Sequence, residues 1–191
     1  FLGRDVHGRA LQDARAPAGN GRPRGHLQYA AVLLGYGLCN NGLAGRLLGL
    51  NRAGVTITRR AAAGRARVFA SMGPTGKLLA MGEGTEEQLS ATFAEQARVL
   101  AEAGVDGIAV ETMSDLGEAT LAVVAARATG LPVIASMVFD SGRDRDRTMM
   151  GATPEQAARE LSAPGADVVA GNCGQGIESY VAVCRRLIRY P

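Results

Sequence analysis

The segment VDGIAVETMSDLGEATLAVVAARATGLPVIASMVFD, residues 105–140, decides the fold. It begins with an apolar run that ends at Glu111, and a second apolar run closes it. Between the two runs, Asp115 and Glu118 can cap a helix that continues to Gly130. Two apolar strands joined by a helix form a βαβ unit, in which the strands are parallel and helices cover the sheet. The segment therefore predicts a parallel α/β sheet.

The same alternation continues upstream of this segment. A helical pattern over 43–63 leads to an apolar strand at 68–72 and a loop at 73–84. Thr85 and Gln88 then form a capping box for a helix that Gly104 closes.

Downstream of the segment, the alternation continues to the last residues. Thr153, Pro154 and Gln156 begin a helix with an N-cap, a first-turn proline and a capping-box partner. An apolar strand at 166–172 precedes a helix over 177–188. Four consecutive units favour either a doubly wound sheet or part of a (β/α)₈ barrel. A full barrel takes about 250 residues, so a chain of 191 residues that stops one helix after a strand is expected to hold only part of one.

Residues 1–40 differ from the rest of the chain. They show no sustained period, and GRDVHGRALQDARAPAGNGRPRGH is rich in Gly, Arg, Ala and Pro. Such a composition buries too little apolar surface to offset the entropy of ordering. The run LQYAAVLLGYGL, residues 27–38, could form one strand. The sequence therefore predicts a poorly ordered, irregular segment over 1–40 and a folded domain over 41–191.

The composition is typical of a cytosolic α/β protein. Hydrophobic residues make up 47% of the chain and aromatic residues 4%, with no tryptophan. Cys39, Cys173 and Cys184 are too few and too scattered for a disulfide framework, which favours a reducing compartment. No apolar run approaches the roughly 20 residues of a membrane span, and no signal-peptide pattern opens the chain. We expect a cytoplasmic protein that does not bind membranes.

The charges are distributed unevenly along the chain. Residues 1–67 hold eleven arginines and two aspartates, whereas the remainder is net acidic. A basic N-terminal third could bind nucleic acid or a membrane surface. The aromatic platforms and basic spacing of a known nucleic-acid motif are missing, however, so we do not expect a nucleic-acid partner.

Polar residues follow each of the four apolar strands. The strand ends read SMGPTG, VETMSD, VFDSG and GNCGQG. Because active sites of parallel α/β folds lie at the carboxyl ends of strands, these ends would surround one cavity. Each residue also has a plainer explanation: a solvated strand end, a helix cap or a turn. The candidates are Glu111, Asp115, Asp140, Asn172 and Cys173.

Cys173 lies where a buried strand gives way to a glycine-rich turn. It could be a small core residue, a nucleophile or a metal ligand. His7 and His26 both lie in the N-terminal segment, which disfavours a Cys–His nucleophilic pair. A thiolate metal site would need further, suitably placed cysteines. The residues alone leave the role of Cys173 open.

Taken together, the strand ends resemble the homocysteine S-methyltransferase family. The family includes the homocysteine-binding barrel of cobalamin-dependent methionine synthase and betaine–homocysteine methyltransferase. The resemblance runs from about Leu43 to Cys184, and residues 1–40 match neither of the family's first two strands. The matching segments are LNRAGV at 50–55, SMGPTGKLL at 71–79, GVDGIAVETMSDLGEA at 104–119, VIASMVFD at 133–140, TMMGATPEQAA at 148–158 and GADVVAGNCGQGIE at 165–178.

The resemblance implies a partial (β/α)₈ barrel over 41–191 that covers about the third to sixth strands and their helices. Such a piece would expose two unpaired edges of a parallel sheet. The implied reaction is methyl transfer to the sulfur of homocysteine, which forms methionine. A zinc ion held by three cysteines would lower the pKa of the substrate thiol. Cys173 matches one of these ligands, and the Gly-Gly-Cys-Cys motif that supplies the other two is absent from this chain.

The resemblance also assigns the substrate-binding residues. Glu111 matches the glutamate that binds the amino group of homocysteine, and Asn172, Gly73 and Thr75 would shape the same pocket. The donor is expected to be corrinoid- or folate-linked rather than betaine, with a corrinoid protein or domain as a possible partner. The alternative is a non-catalytic fragment that keeps part of the homocysteine pocket. A phosphate cradle at GNCGQG is a further alternative, but no strand–glycine–helix pattern here matches a known phosphate-binding fingerprint.

Overall fold

The computed structural model of the chain describes residues 2–5, 26–30, 44–77, 79–174 and 176–189. The described strands are β1 Leu2–Asp5, β2 His26–Ala30, β3 Ala66–Met72, β4 Gly107–Met113, β5 Val133–Met137 and β6 Val168–Gly171. The described α-helices are α1 Leu47–Ala62, α2 Glu86–Glu102, α3 Leu116–Arg127, α4 Pro154–Ser162 and α5 Ile177–Leu187. Short 3₁₀ helices at Ala44–Arg46 and Leu79–Met81 precede α1 and α2.

The strands form one sheet in the order β1-β6-β5-β4-β3-β2, and β2 to β6 are parallel. Each α-helix packs against the next one along the chain, from α1 to α5. A doubly wound sheet would instead reverse its strand order at a switch point and divide its helices between two faces. Strands in sequential order beneath one row of helices are the arrangement of a (β/α)₈ barrel. The predicted partial barrel is confirmed, and the doubly wound alternative is excluded.

Two N-terminal strands extend the sheet beyond the predicted units. β2 pairs in parallel with β3, from His26 opposite Ala66 to Ala30 opposite Ala70. β1 pairs antiparallel with β6, with Leu2 opposite Gly171. β2 and β1 therefore cover the outer sides of β3 and β6. The described sheet remains open, as expected of a partial barrel, but its two edges lie at β1 and β2 rather than at β6 and β3.

Within residues 1–40 the structure thus describes two short strands. β2 overlaps the start of the apolar run at 27–38, but β1 was not expected, because LGRD has neither an apolar run nor an alternating pattern. The predicted poor order of the rest of this segment falls outside the described residues. The division of the chain at residue 40 stays a prediction.

The core lies between the sheet and the helices. β3 is buried continuously from Val68 to Met72, as expected for a strand covered on both faces. α3 presents mostly alanines to the sheet, and among them Ala122 and Ala126 are fully buried. These short side chains suit a core that contains few aromatic residues. Phe93 and Phe139 are the largest of the fully buried side chains.

The helix starts form as the sequence predicts. Thr85 and Gln88 exchange hydrogen bonds of 3.2 and 3.3 Å in a capping box at α2. Thr153 and Gln156 do the same at α4, with Pro154 in the first turn. Each box satisfies backbone N–H groups that a helix leaves without partners in its first turn.

An ionic cluster fastens α5 to α4. Arg186 donates to both carboxylate oxygens of Glu155, at 2.6 and 2.7 Å, and also binds Asp146. The bond from Arg186 lowers the pKa of Glu155 to about 2. Because the folded pKa lies below the ordinary value of 4.5, Glu155 stabilises the fold above pH 4.5, and this contribution is lost as the pH falls towards 2.

We expect Glu155→Gln to lower the free energy of unfolding by about 1 kcal/mol at pH 7, since the pair is partly exposed and solvent screens it. The difference from the unmodified chain should shrink as the pH falls below 4.5. Urea unfolding followed by circular dichroism between pH 7 and pH 3 measures both effects. Glu160→Gln, which removes an exposed contact with the adjacent Arg159, is the matched control and should change little. A Glu155→Gln deficit that is independent of pH would contradict the assignment.

Candidate functional site

The carboxyl ends of β3 to β6 lie side by side along one edge of the sheet. Met72 is opposite Val110, and Met113, Met137 and Gly171 follow across β4, β5 and β6. This edge is the predicted location of the site. The structure therefore brings the ends of all four predicted strands together.

β4 is irregular where it reaches this edge. Its register with β5 shifts between Val110 and Met113, which sets Glu111 and Thr112 outside regular pairing. Thr112 has φ of 62°, in the left-handed region that β-branched residues rarely occupy. Bulges and backbone strain of this kind occur beside functional sites, where they redirect a side chain. No motif or pattern in the sequence predicted this conformation.

The side chain of Asn172 connects three strand ends. Its Oδ1 accepts hydrogen bonds from Thr112 N at 3.0 Å and from Ser136 Oγ at 2.8 Å. Its Nδ2 donates to Thr112 Oγ1 at 2.8 Å and to Cys173 Sγ at 3.5 Å. An amide side chain has two acceptor lone pairs and two donor hydrogens, so all of its capacity is used within the protein. Asn172 thus holds the ends of β4, β5 and β6 in a fixed arrangement.

Cys173 follows Asn172 in a left-handed conformation, with φ of 60°. Its side chain is exposed and free, and its sulfur lies 3.6 Å from Thr112 Oγ1. The other described cysteine, Cys184, is half-buried, and burial raises the pKa of its thiol. Of these two thiols, Cys173 is therefore the one with a polar, open environment suited to chemistry.

Tyr180 on α5 supports the turn that carries Cys173, and sequence reasoning did not single it out. Its hydroxyl donates to Asn172 O at 2.6 Å and accepts from Phe139 N at 3.2 Å. Burial raises the pKa of this phenol, so it remains a neutral donor. The ring lies against Gly171, where an added Cβ would come within 2.4 Å of it. The glycine before Asn172 was the available clue, because it leaves room for an aromatic ring.

Glu111 is joined to the neighbouring strand end. Its Oε1 accepts a hydrogen bond from the hydroxyl of Ser71, which is 8% exposed and lies near the end of β3. Glu111 itself is half-buried. A carboxylate in such a position can bind a cation in a partly dry setting.

The GPTG loop is anchored by a buried carboxylate. Glu118 Oε1 accepts from Thr75 N at 2.7 Å and from Thr75 Oγ1 at 2.6 Å. Glu118 is 4% exposed, and burial raises its pKa while the bonds from Thr75 oppose that change. The sequence identified Glu118 only as a helix-cap partner. The structure shows that its side chain instead binds Thr75 of the loop. The side chain of Thr75, which was expected in the pocket, donates to Glu118.

The remaining candidates have structural contacts. Asp115 Oδ1 accepts from Glu118 N at 3.0 Å and caps α3. Asp140 accepts from Ser141 Oγ at 3.1 Å, at the start of a loop closed by a bridge between Ser141 and Arg147. Gly73 is buried at the start of the GPTG loop. The plainer alternatives, helix cap and turn, therefore describe Asp115 and Asp140.

The described residues do not complete a zinc centre. Within them, no group of three histidine, cysteine or carboxylate side chains is placed to hold a metal ion. Cys39 lies outside the described residues. Among the described helices, none combines the length and apolar character needed to cross a membrane.

Comparison with known proteins identifies the family. The model of the homocysteine S-methyltransferase family matches residues 31–190. The chain belongs to the homocysteine S-methyltransferase family. The match begins upstream of Leu43, where the resemblance was expected to begin, and it also extends beyond Cys184.

Individual relatives agree with this assignment. Betaine–homocysteine S-methyltransferase 1 from Danio rerio is 37% identical over 89 residues, which are 47% of this chain and 21% of that protein. The homocysteine methyltransferase MmuM from Escherichia coli has a similar fold. Its apo form gives a TM-score of 0.53 at 20% identity over 76% of this chain and 53% of that one. Its metallated form gives a TM-score of 0.53 at 17% identity over 85% of this chain and 79% of that one. The chain thus spans about a fifth of the zebrafish protein and about half of apo MmuM.

We expect Asn172→Ala to lower the free energy of unfolding of this family member by about 1–3 kcal/mol, because buried donors lose their acceptor. Ser136, which is 0% exposed, would be left without its partner. The thiol of Cys173 should also react faster with a disulfide reagent, because the Asn172 amide beside it is removed and Thr112 is no longer held in place. Ser136→Ala removes one of the same bonds and should cost about 1 kcal/mol. Equal effects of the two substitutions in urea unfolding would contradict a connecting role for Asn172.

We expect Gly171→Ala to destabilise the chain by about 1–3 kcal/mol, because the added methyl group overlaps the ring of Tyr180. Gly49→Ala is the control, since nothing lies within 4 Å of its Cβ position in α1. That substitution should stabilise the chain slightly, by up to about 1 kcal/mol, through helix propensity. Thermal unfolding of both variants measures the contrast, and a neutral Gly171→Ala would contradict close packing of Tyr180.

Proposed function

We propose that this chain forms the homocysteine-binding side of a zinc-dependent S-methyltransferase that makes methionine. The observation that carries the proposal is the position of Glu111, at the end of β4 immediately before Thr112. Thr112 contacts Cys173 through its hydroxyl. The carboxylate of Glu111 and the accessible thiol of Cys173 thus lie near strand ends that the contact between Thr112 and Cys173 connects. The chain belongs to the homocysteine S-methyltransferase family.

Glu111 binds the ammonium group of homocysteine in this proposal. Ser71 occupies Oε1 of the carboxylate, and within the described part of the chain no other donor binds it. The second oxygen therefore remains for a ligand. A charge-assisted bond between a half-buried carboxylate and an ammonium group is stronger than one between neutral groups and selects an amino acid.

Asn172, Gly73 and Thr75 contribute less directly than the sequence suggested. The polar atoms of the Asn172 side chain, and those of Thr75, are engaged inside the protein. We propose that these residues shape the pocket by holding its backbone in place. Gly73, buried at the start of the loop, allows the backbone to pass close to the ligand.

Cys173 supplies one thiolate of the proposed zinc site. The described residues hold no complete ligand set for zinc. The corrinoid- or folate-linked donor, the corrinoid protein as a partner and the cytoplasmic location also stand as proposals. The similarity to a betaine enzyme does not favour the corrinoid or folate donor over betaine.

The competing proposal is a non-catalytic fragment that keeps part of the pocket. The incomplete ligand set of the described residues favours it. A zinc titration of the metal-free chain, read by calorimetry, separates the two. Stoichiometric micromolar binding that Cys173→Ser abolishes would favour a complete enzyme, and no binding would favour the fragment. One thiolate cannot hold zinc well against water, so stoichiometric binding would require ligands in addition to Cys173.

We expect Glu111→Gln to weaken homocysteine binding by about 10- to 100-fold, because a bond between charged groups is lost. Calorimetry with homocysteine and with 4-mercaptobutyrate, which lacks the amino group, gives the sharper test. The unmodified chain should prefer homocysteine, and Glu111→Gln should bind both equally. Glu95→Gln, an exposed acidic position on α2, is the matched control and should retain the preference. If Glu111→Gln still discriminates between the two ligands, the assignment of Glu111 is wrong.

A further inference from the structure

Two carboxylates of one short segment hold the end of β3 and the loop that follows it. Glu111 accepts from Ser71, and Glu118 accepts from Thr75. The donors are four residues apart, and the acceptors are seven residues apart on either side of the Asp115 cap. The segments 71–75 and 111–118 are therefore fastened to each other at two points. The proposed substrate-binding glutamate is one of these points.

Glu118 accepts two hydrogen bonds from the loop, whereas Glu111 accepts one from Ser71. Both Thr75 donors converge on the same oxygen, Oε1, at 2.7 and 2.6 Å. Within the described part of the chain no donor binds Oε2, yet no fully buried side-chain oxygen or nitrogen there lacks a partner. Oε2 therefore reaches solvent, although the residue as a whole is 4% exposed.

Burying a carboxylate such as that of Glu118 costs free energy, because the charge loses its hydration. Burial raises the pKa of Glu118, which shows that its surroundings disfavour the charge. An apolar side chain would fill the same space without that cost, but it would leave the backbone N–H of Thr75 without its acceptor. The carboxylate therefore has a specific role, which is to bind the backbone of the loop at Thr75.

We propose that Glu118 is a positioning residue of the amino-acid site, which holds the 73–76 loop so that Ser71 and Glu111 are arranged for the ligand. This inference rests on the proposed function of Glu111. Glu118 does not touch the substrate. It acts through Thr75 and the loop, and its loss should reduce affinity for homocysteine without removing any group that contacts homocysteine.

The experiment compares Glu118→Ala with Glu118→Gln in the full chain. Glutamine retains an oxygen for both Thr75 donors, and its amide nitrogen would occupy the solvent-accessible place of Oε2. Glu118→Ala should speed hydrogen exchange of the Thr75 amide and weaken homocysteine binding, each by about tenfold or more. Glu118→Gln should restore both to within a few-fold of the unmodified chain. Thr75→Val removes the hydroxyl bonds to Glu118 and from Lys77 N but keeps the bond from Thr75 N to Glu118, and it should give an intermediate result if Glu118→Ala does not fold.

Gln96→Ala is the matched control for loss of a buried polar side chain. Gln96 is 2% exposed on α2 and binds Asn51, away from the strand ends. It should lower stability without changing Thr75 exchange or homocysteine affinity. An equal loss of affinity in Gln96→Ala and Glu118→Ala, failure of Glu118→Gln to restore binding, or unchanged Thr75 exchange in Glu118→Ala would each overturn the inference. If the unmodified chain binds no homocysteine, the proposed function fails, while Thr75 exchange still decides whether Glu118 fixes the loop.

Discussion

The amide side chain of Asn172 is the interaction on which the candidate site depends. This amide accepts from the backbone N–H of Thr112 and donates to the Thr112 hydroxyl, and it also binds Ser136 and Cys173. Parallel strands pair through their backbones along most of their length, but backbone pairing stops where the strands end. The amide continues the connection beyond that point, and it holds Thr112 in a left-handed conformation that a β-branched residue does not favour. The position of Glu111, one residue earlier, follows from that conformation.

Side chains from two helices, Tyr180 and Glu118, also hold the backbone beyond the strand ends. Tyr180 binds the backbone beyond two neighbouring strand ends, at Phe139 after β5 and at Asn172 after β6, and its ring requires glycine at 171. The Thr75–Glu118 attachment does the same for the loop after β3. In both cases a buried polar side chain from a helix satisfies backbone groups of a loop. The helices of this barrel therefore do more than cover the sheet, because they also fix the loops that carry the candidate residues.

The described residues do not complete the proposed zinc centre. Cys173 is accessible and in contact with two polar neighbours, as a ligand would require. A single thiolate does not define a zinc site, since catalytic zinc takes three protein ligands. What the described residues do assemble is an acidic group, a hydroxyl partner and fixed loops. We propose that these features recognise the amino-acid end of a substrate.

The sequence by itself determined the succession of strands and helices, the capping boxes at Thr85 and Thr153, and the family. These depend on local periodicity, on side chains within a few residues of one another and on motifs in order, all of which are readable along the chain. Tertiary structure alone decided that Glu118 binds Thr75, that Tyr180 supports Asn172, and that β1 joins β6. Each of these pairs contacts across another element, so no spacing in the sequence encodes it. The left-handed Thr112 belongs with them, because its conformation is imposed by Asn172, a residue sixty positions away.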